Sequence, residues 1–407
     1  MKSLFYDISL PRAALTKALA PLYPDIIYSR ISGLRYQEIP EPVLSDDDWV
    51  KVKTRLCGIC GSDMHLITLN IDPRVSLAAL PRHLSKKRAP KFLGHEIAGE
   101  VVEVGKGADS LRPGDRVTLR SGPCCATLNV KPPCPNCMEG NYAICLHKSE
   151  GKTPDNTGGG WSEYFMVHQA QLFKLPHGIT DEQAALLEPT ACSLHAVLRR
   201  APRDADRVLV VGGGFIGLQI VQIVRAFSPA CRLTALVKYP FQEEAARNLG
   251  ANQVLYAGDS NVYDRIAQLT DSRVYSGKFR NRMVVGGFDV IYDCVGSARS
   301  LHHNLRWTRS RGTVVVVGAD LNLAKFDITP LWYQEVDLIG SGAHGMESFQ
   351  GERISTFDLA ARLLLEEKLD VNGLLTHTYP ISEYKEAIKA MRNKKESKAI
   401  KGAFSFQ

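Results

Sequence analysis

An apolar run, Val208-Leu209-Val210-Val211, leads without a break into Gly212-Gly213-Gly214-Phe215-Ile216-Gly217 and then into an amphipathic stretch over 216–227. No other feature restricts the fold of this chain as tightly. A buried strand that turns on glycine straight into a helix opens a βαβ unit. In it Gly212 permits the tight turn, Gly214 lets a pyrophosphate approach the backbone, and Gly217 lets helix and strand pack closely. The helix N-terminus, at Phe215 and Ile216, offers free N–H groups and a partial positive charge to phosphates. Dinucleotide binding by Gly212, Gly214, Phe215, Ile216 and Gly217 is therefore expected. The next strand, 233–237, runs into Lys238 where an NAD site would place a carboxylate for the ribose hydroxyls. A cation there favours the 2′-phosphate of NADP over NAD; the competing reading is a lysine that only meets solvent.

Further buried-strand candidates at 253–256, 290–294 and 313–317 mostly alternate with helical patterns, which implies a parallel, doubly wound sheet covered on both faces. Up to about residue 190 the texture differs. Short alternating or β-branched runs, such as 49–54 and 97–104, are separated by Gly and Pro and read as an irregular, mostly antiparallel β domain. Beyond 342 helices are expected at 356–367 and 381–393, with a closing strand near 399–406; 275–287, basic and glycine-bearing, is expected to be an exposed loop. A chain of 407 residues is in any case long for one core. Its 44% hydrophobic and 23% charged residues describe a folding, water-soluble protein, not a disordered one.

The formal charge of +7 is not concentrated in any block of five like charges, which gives a nucleic-acid function no support. Asp7, Arg12 and Lys17 interrupt the apolar runs near the N-terminus, so no signal peptide is expected, and no apolar stretch is long enough to span a bilayer. A cytoplasmic location follows as an expectation. Clustered cysteines in such a reducing compartment point to metal ligands or catalytic groups before disulfides.

Ten cysteines are present, unevenly spread. Cys134, Cys137 and Cys145 lie on a Pro- and Gly-rich stretch with Cys124 and Cys125 about ten residues upstream. Four thiolates around Zn²⁺ can fix such a loop; Cys125 is taken as the fourth ligand, with Cys124 as its alternative. A second set comprises Cys60 with Ser62 and His65, then His95-Glu96, then Glu188. Cys60, His95 and a carboxylate offer the mixed donors of a zinc that keeps a position open for substrate. Ser62 and His65 could pass a proton from an alcohol to solvent.

These residues, together with Gly94-His-Glu-Ile-Ala-Gly-Glu-Val-Val-Glu-Val-Gly105, Pro113-Gly-Asp-Arg-Val117 and the glycine fingerprint, resemble the zinc-dependent alcohol dehydrogenases of the medium-chain dehydrogenase/reductase superfamily. The resemblance spans nearly the whole chain. It implies an α/β protein with a GroES-like catalytic domain over 1–189 and 342–407 and a Rossmann domain over 190–341, the active site lying in the cleft. It puts metal ligands on Cys60, His95 and Glu188, with Glu96 as an exchanging ligand or supporting catalytic group. Ser62 takes the alcohol-contacting position, His65 the proton relay, and Lys401 a basic position aimed at the cofactor. A Glu at 188 is closer to the polyol and threonine dehydrogenase branch. Two departures stand out: Lys131, followed by Pro132-Pro133, occupies the expected first position of the four-cysteine lobe, and 66–92 is long and carries the basic run Lys86-Lys87-Arg88, expected at the rim of the substrate cleft.

The expected function is hydride transfer between an alcohol, best a secondary alcohol, polyol or amino alcohol, and NAD(P). A homodimer or homotetramer is implied by the resemblance. One alternative is an NADPH-dependent reductase of a carbonyl or an activated double bond, whose relatives generally lack the zinc ligands. The other is a non-catalytic metal- and cofactor-binding scaffold, which would have no use for an open metal site.

Overall fold

The strand Arg207–Val211 lies inside a six-stranded sheet, between Arg232–Val237 and Phe288–Asp293. The order across the sheet is Gln253–Tyr256, Arg232–Val237, Arg207–Val211, Phe288–Asp293, Thr308–Val316, Asp337–Gly340, and every pairing is parallel. Strands buried on both faces need apolar residues at successive positions, and Val208, Leu209, Val210 and Val211 supply them. The chain reverses order at Arg207–Val211, so the glycine turn sits at the switch point of a doubly wound sheet. These details come from a computed structural model, which describes all residues except 45, 73, 77–90, 121, 149, 151–155 and 407. The basic run Lys86-Lys87-Arg88 lies outside the described residues.

Packing divides the chain into one unit of residues 1–188 with 370–407 and a second of 189–369. The six-stranded sheet belongs to the second. Its helix Phe215–Phe227 is buried along most of its length, and a Cβ on Gly217 would lie 1.8 Å from the Gly212 carbonyl oxygen, a contact only glycine avoids. Two features of this unit differ from the expectation. The stretch expected to be a loop at 275–287 is largely a hairpin, Arg273–Ser276 against Arg282–Val285. Its basic residues disguised a strand alternation that buries Val284 in the core while Arg282 pairs with Asp264 on the surface at 2.5 Å. The sixth strand, Asp337–Gly340, carried too few apolar residues to be noticed and lies at the sheet edge.

The first unit is built on the long strand Trp49–Gly58. It pairs antiparallel with Ile97–Val104, Tyr164–His168 and Lys401–Ser405, in a seven-stranded sheet that also holds Leu375–Pro380, Arg116–Leu119 and Leu172–Lys174. Val50, Val52, Thr54 and Leu56 alternate inward along it. A smaller sheet joins Lys2–Tyr6 to Leu34–Glu38 and Lys91–Phe92. The core closes on Trp161 and Phe404, both fully buried, with ring centroids 5.0 Å apart and nearly perpendicular. Among the described residues no helix is long and apolar enough to cross a membrane.

Because Phe404 sits in this contact and beside Cys57 in register, Phe404→Ala should cost about 3–5 kcal/mol of unfolding free energy. Urea unfolding followed by tryptophan fluorescence reads this, and a loss below about 1 kcal/mol would mean that the ring contact is not central to the core.

Candidate metal and cofactor sites

The long strand stops two residues short of Cys60. The Gly58 N–H donates to the Glu96 carbonyl at 2.7 Å and the Ile59 N–H to the Gly402 carbonyl at 2.8 Å, so the turn carrying Cys60 is held from both sides. A Cβ on Gly58 would lie 2.1 Å from Glu96 Oε2. Cys60 then caps the helix Gly61–Ile67, and the Asp63 carboxylate accepts the Cys60 N–H at 3.3 Å and the Gly94 N–H at 3.5 Å. Asp63 thus ties the Cys60 turn to the His95 turn; its Oδ2 also lies 3.8 Å from His95 Nδ1. Gly94 makes that second turn at φ +83°, with the Trp161 ring against its α-carbon.

Donor atoms of Cys60, His95 and Glu96 lie within 4.8 Å of one another. Glu188, on the helix Asp181–Arg199, is outside that group, yet its charge acts on both His95 and Lys401. Burial opposes a charged His95, but the Cys60 thiol and the Asp63 and Glu188 carboxylates outweigh it and hold the imidazole pKa well above its ordinary value. A thiol, an imidazole and carboxylates that together draw in positive charge suit a zinc ion. The resemblance aims Lys401 at the cofactor. Here its amine is buried in the first unit and stands 2.5 Å from Glu96 Oε1. Burial disfavours its charge, and the Glu96 carboxylate more than restores it.

Ser62 is exposed and, with His95, lines a cavity of about 450 Å³ in the first unit. His65 lies three residues further along the same short helix, half-buried, with Nδ1 3.4 Å from Asn70 Nδ2. Asp63, which the motif Cys-Gly-Ser-Asp contains, escaped notice as a site residue. Its signal was its place three residues after a residue that caps a helix.

The thiols of Cys125, Cys134, Cys137 and Cys145 form a second group within 4.8 Å. Cys125 Sγ is 3.7 Å and Cys134 Sγ 4.0 Å from Cys145 Sγ. Tetrahedral zinc with Zn–S of about 2.3 Å sets its sulfurs roughly 3.8 Å apart, so the spacing fits. A tight turn after Cys124 brings the chain back across the Lys131 departure, with the Val130 N–H donating to the Cys125 carbonyl at 3.0 Å. Cys124 is buried against this cluster without joining the group. The Leu146 N–H on its sulfur lowers the Cys134 thiol to about 6, and the Cys134 N–H reaches Cys125 Sγ at 3.3 Å. Burial pushes the Cys125 and Cys137 thiols the other way, so it is at Cys134 that the backbone donors favour the metal-binding thiolate.

In the second unit, Gly212 turns at φ +111° and Gly214 caps the helix Phe215–Phe227, with Phe215 buried and Ile216 half-buried at its start. Lys238 is exposed just past the strand Arg232–Val237, its amine 5.2 Å from the centre of the Tyr239 ring. The Gln242 side-chain oxygen Oε1 accepts the N–H groups of Lys238 and Tyr239 at 3.0 and 3.1 Å and so shapes this turn. That glutamine carried no signal in the sequence reading.

The alcohol dehydrogenase GroES-like domain family matches residues 46–177, and the zinc-binding dehydrogenase family matches 216–357. An L-idonate 5-dehydrogenase of Vitis vinifera is 32% identical over 355 residues, covering 87% of this chain and 86% of that protein. A sorbitol dehydrogenase of Halalkalibacterium halodurans is 28% identical over 366 residues, covering 89% and 94%. The crystal structure of galactitol-1-phosphate dehydrogenase from Escherichia coli superposes with a TM-score of 0.71 over the whole of both chains at 22% identity, which shows the shared fold.

The geometry predicts two zinc ions per chain. Cys125→Ser is expected to lower the zinc content from about two to about one, while Cys124→Ser leaves it near two; elemental analysis after dialysis reads both. Equal loss in the two variants would reject Cys125 as the ligand that distinguishes them.

Proposed function

This chain belongs to the zinc-dependent alcohol dehydrogenases of the medium-chain dehydrogenase/reductase superfamily, and from that premise we propose how its residues divide the work and what they act on. It is an oxidoreductase that moves hydride between an alcohol and a nicotinamide cofactor. Polyols are the proposed substrates, supported by the polyol and sugar-acid dehydrogenases among its relatives.

Cys60, His95 and Glu188 are proposed to hold the catalytic zinc, with Glu96 beside them. The observation that carries this is the convergence of Cys60, His95 and Glu96 donors within 4.8 Å next to a cavity lined by Ser62. When bound, zinc supplies Lewis acidity that lowers the pKa of an alcohol, and nicotinamide supplies the hydride acceptor. Ser62 Oγ accepts the hydroxyl proton of the substrate as its own hydroxyl hydrogen passes on toward His65, three residues on along the same helix, and so to solvent. Asp63 keeps Cys60 and His95 in register through its two backbone hydrogen bonds, and Lys401 balances the charge of Glu96. Gly212, Gly214, Phe215, Ile216 and Gly217 are proposed to bind the cofactor pyrophosphate. Cys125, Cys134, Cys137 and Cys145 are proposed to hold a structural zinc.

NADP is the proposed cofactor in preference to NAD. An exposed Lys238 follows the second strand of the sheet, and the residues of that turn, Lys238, Tyr239 and Gln242, bring no carboxylate to meet a ribose 2′-hydroxyl. Self-assembly as a homodimer or homotetramer is supported by the open sheet edge at Asp337–Gly340, with Trp332 and Tyr333 exposed just before it. Sedimentation equilibrium giving a monomer would remove that part of the reading.

Ser62→Ala should lower kcat for D-sorbitol oxidation by about 10²–10⁴-fold while the nicotinamide dissociation constant holds. Turnover that survives intact would reject the proton path. Lys238→Ala should weaken NADPH binding about tenfold and barely move NADH binding, both read by nicotinamide fluorescence. A wild-type protein that binds NADH more tightly than NADPH would overturn the cofactor assignment.

A further inference from the structure

Resting on the reading of Ser62 and His95 as the reacting end of the site, we propose that the four-thiol lobe forms a wall of the same cavity. Leu128 on that wall limits the bulk of the end of the alcohol that does not react, and metal held by Cys125 keeps the wall in place. The cavity of about 450 Å³ is of small-molecule size. Four of its described lining residues, Gly122, Pro123, Thr127 and Leu128, flank Cys124 and Cys125. Three of them offer a substrate little to read. Gly122 has no side chain and that of Pro123 is small. The Thr127 hydroxyl is engaged inside the turn, accepting the Cys124 N–H and donating to the Cys124 carbonyl, both at 2.9 Å. Leu128, half-buried, is the bulk that this stretch brings to the wall.

The turn links Leu128 to the thiol group through the backbone. The Leu128 N–H donates to the carbonyls of Cys124 and Cys125 at 3.1 and 3.3 Å, and Cys125 Sγ belongs to the four-thiol group. On its other side the lobe is seated against residues of the same cavity. The helical turn Ala126–Leu128 packs on Gln169–Gln171. Arg120 ties the two together: its guanidinium stands 5.3 Å from the centre of the Tyr142 ring, which packs on the cysteine cluster, and its Nη2 donates to the Ala170 carbonyl at 3.2 Å. Gln171, whose carbonyl accepts the Arg120 N–H at 2.7 Å, itself lines the cavity. A lobe with little apolar burial of its own is ordered by the metal it binds, so the metal gives this wall a fixed position. A fixed wall sorts substrates by bulk, because a group that overfills the space must displace Leu128 and, with it, Cys125.

The experiment compares xylitol, D-sorbitol and maltitol, which is D-sorbitol bearing a glucosyl group, on the wild-type holoenzyme, Leu128→Ala, Leu128→Trp and Cys125→Ser. Steady-state kcat and KM, calorimetric binding of each polyol without nicotinamide, NADPH affinity and zinc content are measured. Leu128→Ala is expected to raise kcat/KM and affinity for maltitol relative to D-sorbitol about tenfold or more, and Leu128→Trp to lower both for D-sorbitol relative to xylitol by a similar factor. Zinc content stays at about two per chain in both Leu128 variants. Cys125→Ser, without the lobe metal, is expected to raise KM for D-sorbitol about tenfold and to weaken its calorimetric binding in parallel, by more than it lowers kcat or NADPH affinity. Ratios that move by less than about twofold in both Leu128 variants overturn the assignment of that residue. Polyol binding that Cys125→Ser leaves unchanged, or that falls no further than kcat and NADPH affinity do, overturns the role of the lobe metal. Absence of any polyol oxidation by the wild type would instead strike the reading of Ser62 and His95. The calorimetric ratios would still decide whether Leu128 sets the bulk that enters, with no polyol binding at all counting against it.

Discussion

Two backbone hydrogen bonds at the end of one strand govern the first unit of this protein. Gly58 N–H to the Glu96 carbonyl and Ile59 N–H to the Gly402 carbonyl gather three segments that are far apart in sequence. One brings Cys60, one His95 and Glu96, and one Lys401. Each bond contributes on the order of 1 kcal/mol, so their importance is geometric. A donor set for zinc tolerates displacements of only a few tenths of an ångström, and these bonds fix all three approaches to one strand end. The junction also explains why residue 58 is glycine: the space of its missing Cβ is filled by the Glu96 carboxylate. Gly94 and Gly160 extend the same argument, since a Cβ on either would meet the Trp161 ring or Cys57 Sγ. The site is built where backbones approach more closely than side chains permit.

The four-thiol lobe follows a different logic. Among the described residues its buried cluster consists of cysteines, with Val130 and Tyr142 packed against it as partly buried apolar neighbours. Hydrophobic burial on that scale cannot order a segment of this length against its conformational entropy. A metal can, because the free energy of four thiolates binding zinc becomes folding free energy of the lobe. This is a local economy, separate from the hydrophobic core that holds the two sheets of the first unit.

What the sequence disclosed follows from how local each signal is. The glycine turn was legible because its strand, turn and helix are contiguous, and the close approach of Gly217 to the Gly212 carbonyl falls within six residues. Cys60 and His95 were legible through their flanking motifs. Lys401 was singled out only as a base aimed at the cofactor; its pairing with Glu96 was not legible, because Glu96 lies 305 residues away and the pairing of Lys401–Ser405 on Trp49–Gly58 brings them together. The choice between Cys125 and Cys124 likewise depends on a turn whose direction is set by hydrogen bonds over 124–130, which composition does not reveal. The hairpin at Arg273–Val285 was hidden by surface charge: Arg273, Lys278 and Arg282 drew the eye from Val274 and Val284, whose side chains face the core.

The buried pair of Lys401 and Glu96 has a consequence for the reaction. A buried ion pair is a poor source of stability, since taking both charges out of water offsets most of their attraction. Its value here is better sought in the charge of the site. With zinc held by Cys60 thiolate, neutral His95 and Glu188 carboxylate as proposed, the ion's two positive charges are matched by two negative ones. Glu96, beside them, would add a third negative charge and raise the cost of forming an alkoxide nearby. Asp63 would add a fourth. Lys401 at 2.5 Å cancels the first of these, and the N–H groups of Cys60 and Gly94 absorb much of the second. On that reading each acidic group near the metal has a counterpart of its own, and the proton leaving the substrate would depart from a site close to neutrality. A lysine carried on the strand Lys401–Ser405 would in this sense be part of what sets the acidity of an alcohol bound beside Ser62.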